Sequence, residues 1–327
     1  MLKVFVAREV PGVAIPLLRD AFGAEPVGVY ASESTIPRGV LLESVQGVEG
    51  ILTLLSEKVD AELLDAAGPG LRIVANMAVG YDNIDVAECT RRGVAVTNTP
   101  DVLTETTADL AFGLMISAAR RFAEGEAFLR GEQWKEWTPT LLCGMDVYGK
   151  TLGIFGMGRI GQAVARRAVG FGMRVLYTKR NRLPEETERA LNASHVGKDQ
   201  LLAESDFISV HCPFNAETRH AFGAAEFAAM KRTAVFVNTS RGAVVDEAAM
   251  AAALQAEQIF AAGLDVFERE PEVHAALLAC RNVVLIPHLG STTYATRERM
   301  AETAARNIVA MLRGESPPNC LNPEVLR

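Results

Sequence analysis

The sequence predicts an α/β protein built on two doubly wound parallel sheets, and three observations carry that reading. Short β-branched runs alternate with amphipathic stretches along most of the chain, which is the rhythm of βαβ units. The alternation comes as two series separated by a long helix-like stretch, and 327 residues leave room for two domains at roughly 150 residues each. A glycine-rich turn, Gly156-Met157-Gly158-Arg159-Ile160-Gly161, opens the second series.

The first series has strand-like runs at Val4 to Ala7, Gly50 to Leu55, Arg72 to Met77 and Val94 to Thr97. The helix-like stretch Ile84 to Arg92 ends at Gly93, a suitable helix stop. Asp101 to Arg121 reads as one long helix, with Leu110, Ala111, Leu114 and Met115 on one side, and is placed to bridge two domains. Gly131 to Tyr148, with Trp134, Trp137 and Pro139, reads as an irregular arm. The second series has six strand-like runs: Leu152 to Phe155, Arg174 to Thr178, Phe207 to His211, Ala234 to Asn238, Phe260 to Val266 and Val283 to Ile286. Six strands suit one doubly wound sheet. A helical pattern from Tyr294 to Leu312 closes the chain and is expected to return to the first domain. The expected division is therefore 1–99 with 289–327, and 100–288.

Composition narrows the function classes. With 49% hydrophobic and 22% charged residues the chain is globular. Its formal charge of −7 gives no general footprint for nucleic acid or an anionic membrane. No apolar run reaches the ~18 residues of a membrane span, and Lys3, Arg8 and Glu9 spoil a signal-peptide core, so a cytoplasmic protein is expected. The five cysteines are scattered without a C-x-x-C pair, and the histidines lack ligand spacing, so no metal is expected.

The glycine turn lies between a predicted strand and a helix predicted from Gln162 to Val169. Gly156 suits the tight turn, Gly158 lets backbone approach a pyrophosphate, Gly161 suits close helix packing, and the helix N-terminus favours the anion. Arg159 and Ile160 complete that loop. A site selective for NAD carries Asp or Glu about 20 residues on, to bind the ribose hydroxyls. This chain has Lys179, Arg180, Asn181 and Arg182 there, so NADP(H) is expected over NAD(H). Beyond the glycine turn, three polar segments follow later strands: Asn238 to Gly242 with Thr239, Ser240 and Arg241; Asp265 to Pro271 with Glu268 and Glu270; and Pro287 to Gly290 with His288. In an open α/β sheet such ends line the ligand crevice.

At these residues the chain resembles the D-isomer-specific 2-hydroxyacid dehydrogenases, over nearly its whole length. The resemblance rests on Val79 to Asp85, the glycine fingerprint, Ser240-Arg241-Gly242, Gly263 to Val266 running to Glu270-Pro271, and Pro287-His288. Within the family it is most similar to the glyoxylate and hydroxypyruvate reductases. The resemblance implies a flavodoxin-like substrate domain beside the Rossmann cofactor domain, an active site in the cleft, and catalytic Arg241, Glu270 and His288. The chemistry agrees: hydride delivery to a 2-oxo carbon needs a proton donor, a role that suits His288. Glu270 would stabilise the imidazolium, and the planar fork of Arg241 suits a carboxylate. Asp265 is expected to accept from the nicotinamide carboxamide, with Gly290 beside it.

Val79 and Gly80 stand where family members hold the substrate carboxylate by main-chain amides. Leu55 suits a small side group, and the Leu54-Leu55-Ser56 turn lacks the arginine that phosphoglycerate dehydrogenases carry nearby for phosphate. The resemblance also implies a homodimer built on the tryptophan arm, with core packing as the alternative for those indoles. His211 is expected to wall the adenine pocket. Reduction of larger 2-keto acids, of the 2-ketogluconate or D-lactate type, and a nucleotide-sensing binding protein stand as the other readings.

Overall fold

A computed structural model describes residues 2–326, and the chain forms two compact units. One runs to Leu103 and resumes at Ser291; the other is Thr104–Gly290. In the first, β1 (Val4–Val6), β2 (Val27–Val29), β3 (Gly50–Thr53), β4 (Ile73–Asn76) and β5 (Ala95–Thr97) form a parallel sheet in the order β2-β1-β3-β4-β5. This is the flavodoxin-like winding, in which the strand order reverses between β1 and β3. β1, β3, β4 and β5 are buried along their whole length, as strands covered on both faces must be. The 294–312 helix packs on this sheet through Met300, Ala304 and Ile308. Gly50 makes room for it, since a Cβ there would stand 3.2 Å from Ile308.

The second unit carries a seven-stranded parallel sheet: β6 (Thr151–Phe155), β7 (Arg174–Thr178), β8 (Ala193–His195), β9 (Phe207–Val210), β10 (Val235–Asn238), β11 (Ala261–Leu264) and β12 (Val283–Leu285). Their order, β12-β11-β10-β9-β6-β7-β8, is the Rossmann order extended by one strand, with its reversal between β6 and β9. One face of the sheet is covered by the Thr104–Ala119 and Arg159–Gly170 helices, which supply Ala111, Met115, Val164 and Ala168 to the core.

Two strands go beyond the sequence reading, β2 and β8, and both are edges of their sheets. Each is three residues long, and Val-Gly-Val and Ala-Ser-His give no usable alternation. The opposite edges, β5 and β12, are also three residues long. The long helix is shorter than expected, Thr104–Ala119, because Asp101 and Arg121 both have positive φ. Arg121, in the left-handed region, separates it from a further helix at Phe122–Arg130.

Candidate active site

Parallel strands deliver all their carboxyl ends to one edge of a sheet. In the second unit that edge carries the glycine turn after β6, the basic turn after β7, His211 after β9, Thr239 to Arg241 after β10, Asp265 to Glu270 after β11 and His288 after β12. Gly156 has φ +101°, and a Cβ there would lie 2.5 Å from the Cys212 N–H nitrogen; a Cβ at Gly161 would lie 2.4 Å from the Gly156 carbonyl oxygen. Both glycines are therefore fixed by the protein's own packing. A Cβ at Gly158 would meet nothing within 4 Å, and Gly158 and Arg159 are exposed at the start of the 159–170 helix. Open space over an N-terminal helix turn fits a dinucleotide pyrophosphate. Ile160 instead turns into the core.

In the basic turn the structure separates residues the sequence grouped together. Tyr177 is fully buried; its hydroxyl donates to Glu188 Oε1 at 2.6 Å and accepts from Leu183 N at 2.8 Å. Arg182 grips the same Glu188 with Nε at 2.9 Å and Nη2 at 2.7 Å, and those two bonds, with that from Tyr177, draw the Glu188 carboxyl down to about 2. Arg182 therefore also shapes the turn, while its side chain stays 65% exposed. Lys179, Arg180, Asn181 and Arg182 are exposed, and Arg180 meets Glu217 at 3.0 Å with the two side chains 80% and 76% exposed.

His211 bonds Ser209 Oγ through Nε2 at 2.7 Å, and burial pushes its imidazole down to about 3. Its neighbour Thr239 is buried. The Asn238 side chain organises the next turn. Its Oδ1 accepts from the Ser240 N–H at 3.0 Å and hydroxyl at 2.9 Å, and its Nδ2 donates to the Arg241 carbonyl at 2.9 Å. Gly242 brings this turn against the β11 loop, because a Cβ there would stand 1.8 Å from the Phe267 carbonyl carbon.

His288 Nδ1 lies 2.8 Å from Glu270 Oε2, with the two side chains 30% and 35% exposed. A carboxylate only accepts, so Nδ1 carries the proton in that bond, and no hydrogen bond among the described residues takes Nε2. Glu270 Oε1 accepts from Phe267 N at 3.0 Å. Burial alone would push Glu270 up, but the His288 bond and charge, the Phe267 N–H and the Arg241 guanidinium hold it below the ordinary carboxylate range. Arg241, Glu270 and His288 are thus brought together. Glu268 points elsewhere, to His220 at 3.1 Å and to the Glu247 N–H at 3.1 Å.

Asp265, fully buried, holds the turn that carries His288. Its carbonyl accepts from His288 N at 2.9 Å, its Oδ1 from Leu289 N at 2.5 Å and its Oδ2 from Gly290 N at 2.8 Å. Three successive N–H groups fixed in this way keep His288 at φ +53°. Burial pushes the Asp265 carboxyl up to about 6 against those bonds.

In the first unit, Leu55 follows β3 and is 37% exposed, and Val79 and Gly80 follow β4. The Val79 carbonyl accepts from Asn98 Nδ2 and the Gly80 carbonyl from Asn76 Nδ2, both at 2.9 Å. No hydrogen bond among the described residues takes the Val79 or Gly80 N–H. Asn76 and Asn98 were not singled out from sequence, and Asn238 only as the start of a polar segment; their signal is a buried amide at or just past the end of an apolar strand.

A Rossmann-order sheet with this glycine turn and a His–Glu pair at its carboxyl edge defines an NAD(P)-dependent dehydrogenase. The model for "D-isomer specific 2-hydroxyacid dehydrogenase, NAD binding domain" matches residues 112–290. A glyoxylate reductase of Thermococcus gammatolerans is 51% identical over 99% of this chain and 97% of its own. Among solved structures, a glyoxylate reductase from Paecilomyes thermophila has TM-score 0.86 at 35% identity, covering 99% of each chain. The NADPH-dependent glyoxylate/hydroxypyruvate reductase of Sinorhizobium meliloti, solved with NADP and malonate, has TM-score 0.83 at 33% identity, covering 98% of this chain and 96% of that one. The chain belongs to the D-isomer-specific 2-hydroxyacid dehydrogenase family.

Among the described residues no cluster of three or more His, Cys, Asp or Glu side chains could hold a metal ion, and no helix is long and apolar enough to cross a membrane.

Proposed function

We propose that the chain reduces glyoxylate to glycolate and hydroxypyruvate to D-glycerate, with NADPH preferred over NADH. The observation that carries this reading is the 2.8 Å bond between His288 Nδ1 and Glu270, which leaves Nε2 as the proton donor. The glyoxylate reductase names of relatives near 50% identity support the substrate class. When bound, the nicotinamide supplies the hydride. Of the chain's own residues, His288 protonates the developing alkoxide and Glu270 stabilises the imidazolium. Arg241 binds the substrate carboxylate and polarises the ketone, and in the first unit Val79 and Gly80 are the substrate-binding residues of this reading.

The first unit is the substrate-binding domain in this reading, with Leu55 against the small C3 end. Gly156, Gly158, Arg159, Ile160 and Gly161 form the pyrophosphate loop, Lys179, Arg180 and Asn181 take the 2′-phosphate, and Thr239, Ser240, Asp265 and Gly290 line the cofactor further along. Asp265 already accepts from two N–H groups, but each carboxylate oxygen has a second lone pair for the carboxamide. Trp134 and Trp137, 55% and 76% exposed, are not core residues and favour a homodimer built on their arm.

Initial rates with glyoxylate, hydroxypyruvate, pyruvate and 2-ketogluconate, each with NADPH and NADH, test the reading. Highest kcat/KM for glyoxylate or hydroxypyruvate with NADPH is expected. Dominance of the larger acids would overturn the substrate, parity between the coenzymes would overturn the NADPH preference, and no turnover of any acid would favour a nucleotide-sensing binding protein.

A further inference from the structure

Arg8 leaves β1 at the point where the strand order of the first sheet reverses, beside the turn that leaves β3. Its Nη2 donates to Thr35 Oγ1 at 2.9 Å, Ser56 Oγ at 2.6 Å and Glu57 Oε1 at 3.0 Å. The Glu57 side chain is 1% exposed and that of Arg8 is 18% exposed. Glu57 also shapes the turn itself: Oε2 accepts from Leu54 N and Oε1 from Ser56 Oγ, each at 2.7 Å. Asn83 Nδ2 then ties the turn to the loop after β4, donating to the carbonyls of Leu54 and Glu57 at 2.9 Å. The sequence reading found no arginine at Leu54-Leu55-Ser56. The structure brings one there from 48 residues away, with its charge matched by a buried carboxylate.

We propose that the Arg8–Glu57 pair is a specificity device: it fixes the 54–57 turn and cancels the guanidinium charge there, so that the turn admits small uncharged ends of 2-oxo acids and rejects those bearing a second anion. The proposal rests on the reading of Leu55 as a substrate contact. An unmatched guanidinium close to a substrate's distal carboxylate would attract it strongly at this partly desolvated edge, whereas a matched pair presents little net field. Hydroxypyruvate and glyoxylate, with uncharged ends, gain nothing from such a charge. Glu57 and Arg8 are thus positioning and selectivity residues, without a part in proton or hydride transfer.

The experiment compares kcat/KM for oxaloacetate, which has a second carboxylate, with that for glyoxylate. Glu57→Gln keeps an acceptor for Leu54 N while removing the charge, and the oxaloacetate-to-glyoxylate ratio is expected to rise about tenfold or more. Removing both charges, in Arg8→Gln/Glu57→Gln, should return the ratio to near the parent value, an outcome that mere loosening of the turn would not give. Leu55→Arg places an unmatched charge on an exposed side chain of the same turn and should raise the ratio even if Glu57→Gln does not fold. An unchanged ratio in folded Glu57→Gln or in Leu55→Arg, or a raised ratio kept in the double variant, overturns the proposal. Lack of glyoxylate turnover by the parent protein would instead overturn the functional reading.

Discussion

Two carboxylates, one in each unit, sit beside a basic partner at the carboxyl edge of a parallel sheet. Glu57 is closed off from solvent, and its bonds to Arg8, Leu54 N and Ser56 fix a backbone turn. Glu270, about one-third exposed, meets a histidine whose other nitrogen no described residue bonds. A sealed pair gives geometry, because breaking it leaves a buried charge. A half-open pair can exchange a proton and so can do chemistry. The Arg180–Glu217 contact, exposed on both sides, is a third kind: worth little in itself, it is the one that the proposed NADPH reading would exchange for a phosphate.

The sharpest way to break the comparison is on the half-open pair. His288→Ala should lower turnover of glyoxylate on the order of 10²-fold or more, measured as kcat at saturating NADPH; near-normal turnover would show that Glu270 and His288 do no more than Arg8 and Glu57. Glu270→Gln should cost about tenfold in kcat, because His288 loses the carboxylate that its Nδ1 bonds. Since Glu270 is held below the ordinary carboxylate range, the pair's contribution is full above that range and fades as pH falls through the lowered value. Variant and parent stabilities should therefore converge in acid, which pH-dependent urea melts can follow.

The exposed pair gives an intermediate effect. Arg180→Ala should raise KM for NADPH about tenfold and leave KM for NADH nearly unchanged; equal losses with both coenzymes would mean that the exposed arginine does not exchange Glu217 for phosphate. The smallest effect sharpens the sealed class with a second example. Tyr177→Phe removes one hydroxyl between Glu188 and Leu183 N and should cost about 1 kcal/mol, a fall in Tm of roughly 2–4 °C read by calorimetry, with kcat unchanged. A Tm equal to the parent's would place Glu188 and Arg182 with the exchangeable pairs.

Both sheets were legible in the sequence wherever a strand was apolar and buried, from Val4 at β1 to Val283 at β12. β2 and β8 were hidden because Val-Gly-Val and Ala-Ser-His are mostly unburied and give no apolar run, whereas the equally short edges β5 and β12 carry Ala-Val-Thr and Val-Val-Leu inside longer apolar stretches. In the site, short-range motifs were legible: the glycine turn, Ser240-Arg241-Gly242 and Pro287-His288 each place their chemistry within a few residues. Pairing across the fold was not. Composition and spacing do not tell Glu270 from Glu268; the resemblance at Glu270-Pro271 chose the first, and the structure shows it at His288 and Glu268 at His220. Arg182 looked like its neighbours in a basic run until Tyr177 and Glu188 were seen to hold it. The Arg8–Glu57 pair joins positions 49 residues apart, and Asn238 looks like the end of a strand until its amide is seen to fold the turn after it.

All four sheet edges, β2, β5, β8 and β12, stop at three residues. The β5 edge is already taken by the 319–322 segment, where Leu321 N donates to the Val96 carbonyl at 2.8 Å and Val96 N to Asn322 Oδ1 at 2.8 Å. A foreign strand laid along any of the other three would gain only about two ladder bonds before the register ran out. Sheets this apolar would otherwise be templates for fibrous growth, and their blunted margins deny it a starting line. The proposed homodimer would accordingly use a side-chain surface such as the arm bearing Trp134 and Trp137, which can close into a finite assembly, rather than strand addition, which has no natural end.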